Sequence, residues 1–565
     1  MADLDVEKIK LESRGLRGTL HESLNDPLTG GIAESDTILT KFHGLYQQDD
    51  RDLRQERREA RLEPLYQFML RVRIPGGHIT PEQWAAMDGL ADSVANGTIR
   101  LTTRQAVQFH GVAKEDLRTL IRRLDDALLD SIAACGDVNR NVMCHVQPEA
   151  GPVHAQALAW ARRLSEHLLP RSRAWREIWV DGEKVDIDRP PEEEPIYGRS
   201  FLPRKFKAAI AVPPVNDVDI YSQDLGFIAV AEDDRLVGFN VSVGGGLGCS
   251  HGEPETFPRL ADVIGFIRPR DLLAVAEAVV TIQRDHGERE NRKRARFKYT
   301  IESHGLDWFR RELEWRARVR LEPARELHFE HNGDRYGWIE QRDGRWQRTV
   351  FVENGRLLPA HRSGLREVIS RHASDVRLTP NQNLVVAGVP ANARDTVDLL
   401  LDSAGLGESG TSAVRRHAMA CVAMPTCGLA MAEAERYLPD LLTRIEELAA
   451  RHGIEGEPIT VRMSGCPNGC SRPYLAEIGF VGRAPGRYNM YLGAAFDGSR
   501  LSRLYLDNAD EAEILDTIDT LFERYAADRE DGERFGDFLV RSGQVAAVEH
   551  GSEVNQEEVN REQAS

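Results

Sequence analysis

The chain has 565 residues, 41% of them hydrophobic and 29% charged, with a formal net charge of −17. That length exceeds what one hydrophobic core fills, so two to four domains are expected, and the acidic balance argues against a nucleic-acid partner. The N-terminus, MADLDVEKIKLES, lacks a signal peptide's apolar run, and no stretch of about 18 apolar residues could cross a membrane. Seven cysteines in so long a chain do not make a secreted disulfide scaffold, so a cytoplasmic location is expected.

In chain order, residues 1–60 read as an extended N-terminal arm. It holds a turn-rich segment at Asn25–Gly31 and a run of both charge signs from Asp49 to Arg61, read as a solvated helix face or loop. The spacing then predicts a strand over Tyr66–Ile74, a helix over Thr80–Ala95 and a strand–turn–strand over Ile99–Val112. Thr80 suits an N-cap, Pro81 the first helical position and Gln83 the return half of a capping box. The same order recurs at Arg348–Val352, Ser363–His372 and Val376–Val389. There VRLTPNQNLVVAGV matches IRLTTRQAVQFHGV of 99–112 at Arg, Leu, Thr, Gln, Gly and Val, at an offset of 277. Chance likeness between two strand–turn–strand units is the alternative, but the shared element order favours a duplication about a pseudo-two-fold axis, with a ligand where the halves meet. Between the repeats, Val243–Cys249 resembles a dinucleotide loop, but Cys249 stands where G-x-G-x-x-G needs its last glycine. With no other nicotinamide or flavin signature, electrons are expected from a separate protein. The polar tail 551–565 reads as disordered.

Four late cysteines carry the chemistry: Cys421-x5-Cys427, then 38 residues, then Cys466-x3-Cys470. Two close pairs far apart in sequence are how a chain wraps a metal centre. Structural zinc and four unrelated buried thiols are the rival readings, but zinc pairs are usually spaced x2 to x4, and four thiolates without paired histidines favour a cuboidal iron–sulfur cluster. The loop Gly465-Cys466-Pro467-Asn468-Gly469-Cys470 can turn sharply and aim N–H groups at sulfur. Leu438, Leu441, Leu442, Ile445 and Leu448 predict an amphipathic helix ended near Gly453, which would bring the two pairs together. Cys135, Cys144 and Cys249 read as small buried hydrophobes.

The cysteine pattern, with its second pair inside SGCPNGC, resembles the sirohaem- and [4Fe–4S]-dependent nitrite/sulfite reductases. Further matching stretches are LNDPLTGG (24–31), KFHGLYQQDDRD (41–52), RVRIPGG (71–77), RLTTRQ (100–105), NRNVMC (139–144), LPRKFK (202–207), LAMAEAERYLP (429–439) and APGRYNMYLG (484–493), so the likeness spans nearly the whole chain. It implies an α+β fold of three domains with internal pseudo-two-fold symmetry. The boundaries expected from it are an arm at 1–60, half-repeats at 61–137 and 345–415, sirohaem domains at 138–344 and 416–550, the second carrying the cysteines, and the tail.

The resemblance also implies an activity: six-electron reduction of sulfite to sulfide in sulfate assimilation and cysteine biosynthesis. The donor would be an NADPH flavoprotein or a ferredoxin. It places a [4Fe–4S] cluster on Cys421, Cys427, Cys466 and Cys470, with Cys470 bridging to sirohaem. Arg71, Arg140, Lys205 and Lys207 would form the anion pocket, and Arg104, Gln108, His110 and Asn468 would lie against sirohaem or its carboxylates. Gly428 stands where proline is expected. Taken singly, PRKFK reads as a solvated patch, Arg71 and Arg73 as salt-bridged strand residues and His110 as a structural histidine; joined to the cysteine pattern they become site candidates. A nitrite reductase of the same family is the rival enzyme, since nitrite-specialised relatives tend to carry Asn where Lys207 stands. An iron–sulfur electron carrier is the non-enzymatic alternative.

Overall fold

The computed structural model describes residues 5–146, 151–171, 179–180, 183–184, 194–408 and 410–556. Among these, three large hydrophobic cores organise the chain. One draws on residues from 45–129 and 350–406 together, one mainly on 133–321, and one on 414–545. The two half-repeats therefore do not fold around separate interiors. Side chains such as Phe68, Leu70 and Val72 share one with Leu365, Val376 and Val386, all buried, and each buried apolar side chain contributes roughly 1.5–3 kcal/mol.

Two five-stranded sheets cover this shared core. The first is ordered Leu45–Asp49, Tyr66–Val72, Val107–Val112, Ile99–Leu101 and Arg356–Leu357; the second is ordered Trp338–Glu340, Trp346–Val350, Leu384–Val389, Asp375–Leu378 and His78–Ile79. Each sheet ends on a short strand lent by the other half: Arg356 and Leu357 pair with Arg100 and Ile99, while His78 and Ile79 pair with Arg377 and Val376. The exchange ties the halves through backbone hydrogen bonds as well as through packing.

The other two cores repeat a second pattern. One sheet is ordered Met143–Cys144, Ala208–Ala211, Leu225–Glu232, Arg235–Val243 and Asp262–Ile267; the other Ala418–Ala420, Val461–Ser464, Ile478–Ala484, Arg487–Leu492 and Arg503–Ala509. In both, the first three strands run parallel and the last two antiparallel. Parallel neighbours need a crossover. In the second unit it contains the helix Leu438–Arg451, which buries Leu438, Leu441, Leu442, Ile445 and Leu448, with Gly453 at φ 69° just beyond it. The sequence repeat is thus a repeat of structure: Gln105 and Gln382, 277 residues apart, make similar bonds, Gln105 Nε2 donating to Cys144 O at 2.8 Å and Gln382 Nε2 to Ala420 O at 2.9 Å.

Other expectations meet the structure with small differences. The first helix runs Pro81–Ser93 with the Thr80–Gln83 capping box formed. The second begins at Pro359, four residues earlier than Ser363, because proline fits the first helical turn. Residues 5–60 are folded onto the body rather than forming an extended arm. They carry the helices Val6–Glu12 and Leu20–Asn25 and the edge strand Leu45–Asp49, anchored by buried Leu16, Leu39 and Phe42. Apolar anchors spaced through a polar segment suffice to dock it. The tail is likewise packed as far as Gln556: Val554 is buried and its carbonyl accepts from Leu504 N–H at 2.8 Å. Residues 557–565 lie outside the described residues.

Candidate active site

All four late cysteines line one cavity of about 460 Å³, shared with Arg71, Arg100, Gln108, His110, Arg140, Arg204, Lys205 and Asn468. A larger cleft of about 1020 Å³ adjoins it through Arg204, Lys205, Arg292 and Asn468. The cavity opens where the first sheet of the shared core meets both repeated sheets.

Strand register brings the cysteine pairs together. Ala420 lies beside Met463 in parallel strands, so Cys421 emerges next to Gly465 and Cys466. Gly469, at φ 61°, turns the loop so that its N–H donates to Cys466 O at 3.3 Å. Gly465 N–H donates to Cys421 Sγ at 3.3 Å and Asn468 Nδ2 donates to Cys466 Sγ at 3.6 Å, while the nearby backbone N–H groups of Leu429 and Ala430 favour the Cys427 thiolate. Burial, then the charge of Cys470, drives the Cys421 and Cys427 thiols up, and Cys466 up to about 11 for the same reasons. Three such thiols become thiolates together, beside Cys470, only around a cation. Among the described residues, no group of three or more His, Cys, Asp or Glu is arranged for a metal ion. Ligands of one zinc, at about 2.3 Å each, would crowd within roughly 4 Å of one another. The cysteines instead surround a space, which suits a larger body.

The opposite wall is cationic. Arg71 and Gln108 are paired across adjacent strands, and with its amide oriented to satisfy both partners Gln108 accepts from Arg71 Nε at 3.2 Å and Nη2 at 2.6 Å. Arg71 Nη1 also donates to Cys135 Sγ at 3.0 Å, so Cys135 is more than a small buried hydrophobe: it helps hold a site guanidinium. Arg140 is steadied by Nε donation to Gly136 O at 2.9 Å. Lys205 is pulled down to about 7, by burial and then by Arg204 and Arg296. His110 is buried, and neither ring nitrogen has a hydrogen-bond partner in the protein. Burial, then Arg356, Arg100 and Arg71, hold its pKa well below the usual histidine value, so it is a neutral imidazole with two unused polar atoms.

Arg104 and Lys207 do not line the cavity. Arg104 spends its Nη atoms on Gln223 Oε1 at 2.9 Å and Asn141 O at 2.6 Å, standing behind the wall. Lys207 lies among Arg296, Arg104, Lys205 and Asp224, and burial pulls its pKa well below the usual lysine value. Lys41, Tyr46, Thr103 and Arg292 line the cavity without having been singled out from the sequence. Lys41 and Tyr46 lie within KFHGLYQQDDRD, so that stretch held the available signal. Thr103 hydroxyl donates to Cys470 O at 3.0 Å, a contact that no local pattern announces.

The profile described as "Nitrite/Sulfite reductase ferredoxin-like half domain" matches residues 61–127 and again 339–404, and that described as "Nitrite and sulphite reductase 4Fe-4S domain" matches 159–321. A protein of Myxococcus xanthus (strain DK1622) named "Sulfite reductase [NADPH] hemoprotein beta-component" is 58% identical over 546 residues, 96% of this chain and 97% of its own. The chain belongs to the nitrite and sulphite reductase family. A protein of the same name from Anoxybacillus flavithermus (strain DSM 21510 / WK1) is 57% identical over 553 residues, 97% of each chain. The structure of Mycobacterium tuberculosis NirA protein covers 95% of both chains with a TM-score of 0.77 at 26% identity. The 4Fe-4S profile falls on the repeated unit that lacks the four cysteines; the unit with the same strand order carries them.

The family's cofactors are sirohaem and a [4Fe–4S] cluster, and the residues present fit both. The thiols surround a space larger than one ion, the imidazole of His110 borders the cavity with no hydrogen-bond partner in the protein, and the cationic wall suits a tetrapyrrole bearing eight carboxylates.

Proposed function

We propose that this chain reduces sulfite to sulfide as the haemoprotein component of an assimilatory sulfite reductase. The observation that carries this reading is the meeting of four thiols and a cationic wall on one cavity. Cys421, Cys427, Cys466 and Cys470 would hold the cluster, and Cys470 would also serve sirohaem. Together these groups supply, when bound, an iron with an open coordination site and a redox centre that refills it.

The protein's part is to bind the anion and deliver protons as three oxygens leave as water. Arg71, fixed by Gln108 and Cys135, and Arg140, fixed by Gly136 O, present guanidinium forks to the oxyanion. Lys205, poised near neutrality, can hold a proton when an anion lies beside it and release it to a departing oxygen. Lys207 stands behind it, where a bound dianion would favour its protonated form more than a monoanion does, which favours sulfite over nitrite. His110, Gln108 and Asn468 would hold sirohaem, and Arg104 contributes field from behind the wall. The anion pocket draws Arg140 and Lys205 from unit 138–344 and Arg71 from the half-repeat 61–137, and the cluster cysteines come from unit 416–550.

The electron donor is a separate NADPH-oxidising flavoprotein; in support, the name of the Myxococcus relative carries NADPH and calls that protein a beta-component. No helix among the described residues is long and apolar enough to cross a membrane, and the protein acts in the cytoplasm. With a chemical reductant, purified protein should show a higher kcat/KM for sulfite than for nitrite, and Lys207→Asn should narrow the gap. Preference for nitrite would overturn the substrate assignment, activity with NADPH alone the need for a partner, and a spectrum without a tetrapyrrole band would favour the electron-carrier reading.

A further inference from the structure

The wall of the cavity from Cys421 to Tyr437 has no helix or strand of its own. Its shape must come from bonds to other segments. Arg100 Nη2 and Gln382 Nε2 both donate to Ala420 O, at 2.8 Å and 2.9 Å, and fix the residue before Cys421. Beyond Cys427 the hold comes from the N-terminal segment. Arg51 N–H donates to Pro425 O at 3.3 Å, and its Nη1 donates to Cys427 O at 3.0 Å and Ala430 O at 2.7 Å. The neighbouring Asp52 accepts from Arg436 at 2.6 Å, outside the cavity.

These bonds bracket the weakest point of the loop. Gly428 has open space where a Cβ would stand, so neither packing nor a side chain stiffens it. The guanidinium spans it, gripping one carbonyl on each side. Ala430 N–H, within the gripped stretch, donates to Cys427 O at 3.1 Å, and the backbone N–H groups of Leu429 and Ala430 favour the Cys427 thiolate. N–H groups aimed at cluster sulfurs raise a cluster's potential, and neighbours that orient ligands govern how firmly the metal is held.

We propose that Arg51 is a positioning residue for the iron–sulfur cluster, fixing the Cys427 loop so that the N-terminal segment sets the cluster's potential and its resistance to oxygen. This rests on the cluster assignment made above. The test uses the full chain with both cofactors and compares Arg51→Met and Arg51→Lys with wild type. Three quantities are read: the cluster's midpoint potential by EPR-monitored titration, its rate of bleaching in air, and deuterium uptake in residues 425–431.

Arg51→Met should shift the potential negative, bleach several-fold faster and speed uptake in that segment. Arg51→Lys keeps the charge and one donor group, and should recover much of the protection. Wild-type uptake and bleaching in Arg51→Met would overturn the positioning role even if the potential moved, because charge loss alone would explain that shift. Should Arg51→Met not accumulate as folded protein, Arg51→Lys decides by the same readings: intermediate bleaching and uptake support the role, and wild-type values in both overturn it. Absence of iron and sulfide from wild-type protein would instead overturn the cluster assignment itself.

Discussion

Replacing Lys205 with methionine should stabilise the cofactor-free chain at neutral pH while weakening its hold on anions. The lysine is held at about 7 against 10.5, by burial first and then by Arg204 and Arg296. Because the folded value lies below the unfolded one, the unfolded chain binds more protons between them, and stability rises with pH across that window. At pH 7 the penalty for this one site is roughly 4 kcal/mol, falling toward zero near pH 10. Methionine keeps the apolar stem and removes the penalty. Thermal unfolding of both proteins from pH 7 to 10 should show the variant melting higher at pH 7 and the gap closing as pH rises. Sulfate, which does not titrate in this range, should raise the wild-type melting temperature more than the variant's. A variant that melts at or below wild type at pH 7, or a gap independent of pH, would refute the reasoning.

Three further outcomes are expected. Asp219 is buried, accepts from Arg462 Nη1 at 2.7 Å and forms an ion pair with Arg472 Nε at 2.5 Å, joining the two repeated units; Asp219→Asn strands both guanidiniums and should cost about 3–5 kcal/mol in urea unfolding, a loss below about 1 kcal/mol counting against it. Gly248→Ala would set a Cβ 3.1 Å from Asn468 O and should alter the tetrapyrrole absorption band while leaving far-UV circular dichroism unchanged; an unaltered band would show that the loop yields freely. Cys470→Ser should uncouple the two redox centres in the EPR spectrum, whereas retained coupling would remove Cys470 from the bridging position.

Much of the site was legible in the sequence because its chemistry is concentrated in short motifs. The cysteine spacing pointed to a metal centre, and the structure sets all four thiols around one cavity. The glycine-rich loop at 243–249 was legible only as a failed dinucleotide motif; in the fold it supports the second cysteine pair, Cys249 N–H donating to Pro467 O at 2.9 Å. Arg104 and Lys207 share the wall's composition but not its surface, because spacing along a chain does not say which cations are spent on internal partners. Cys135 showed the converse: a lone cysteine carries no pattern, yet it receives Arg71.

The sequence by itself determined the duplication, the helix between the cysteine pairs and the kinds of side chain the site contains. These follow from local periodicity, capping and ligand chemistry, which act over a few turns or one loop. Only the tertiary structure decided that each half lends a strand to the other, that both half-repeats share one core, and that Arg51 and Thr103 reach across to hold the cysteine loops. Those contacts join residues separated by hundreds of positions. Their partners are backbone carbonyls, which every residue carries, so no residue type in the sequence marks where such a bond will end.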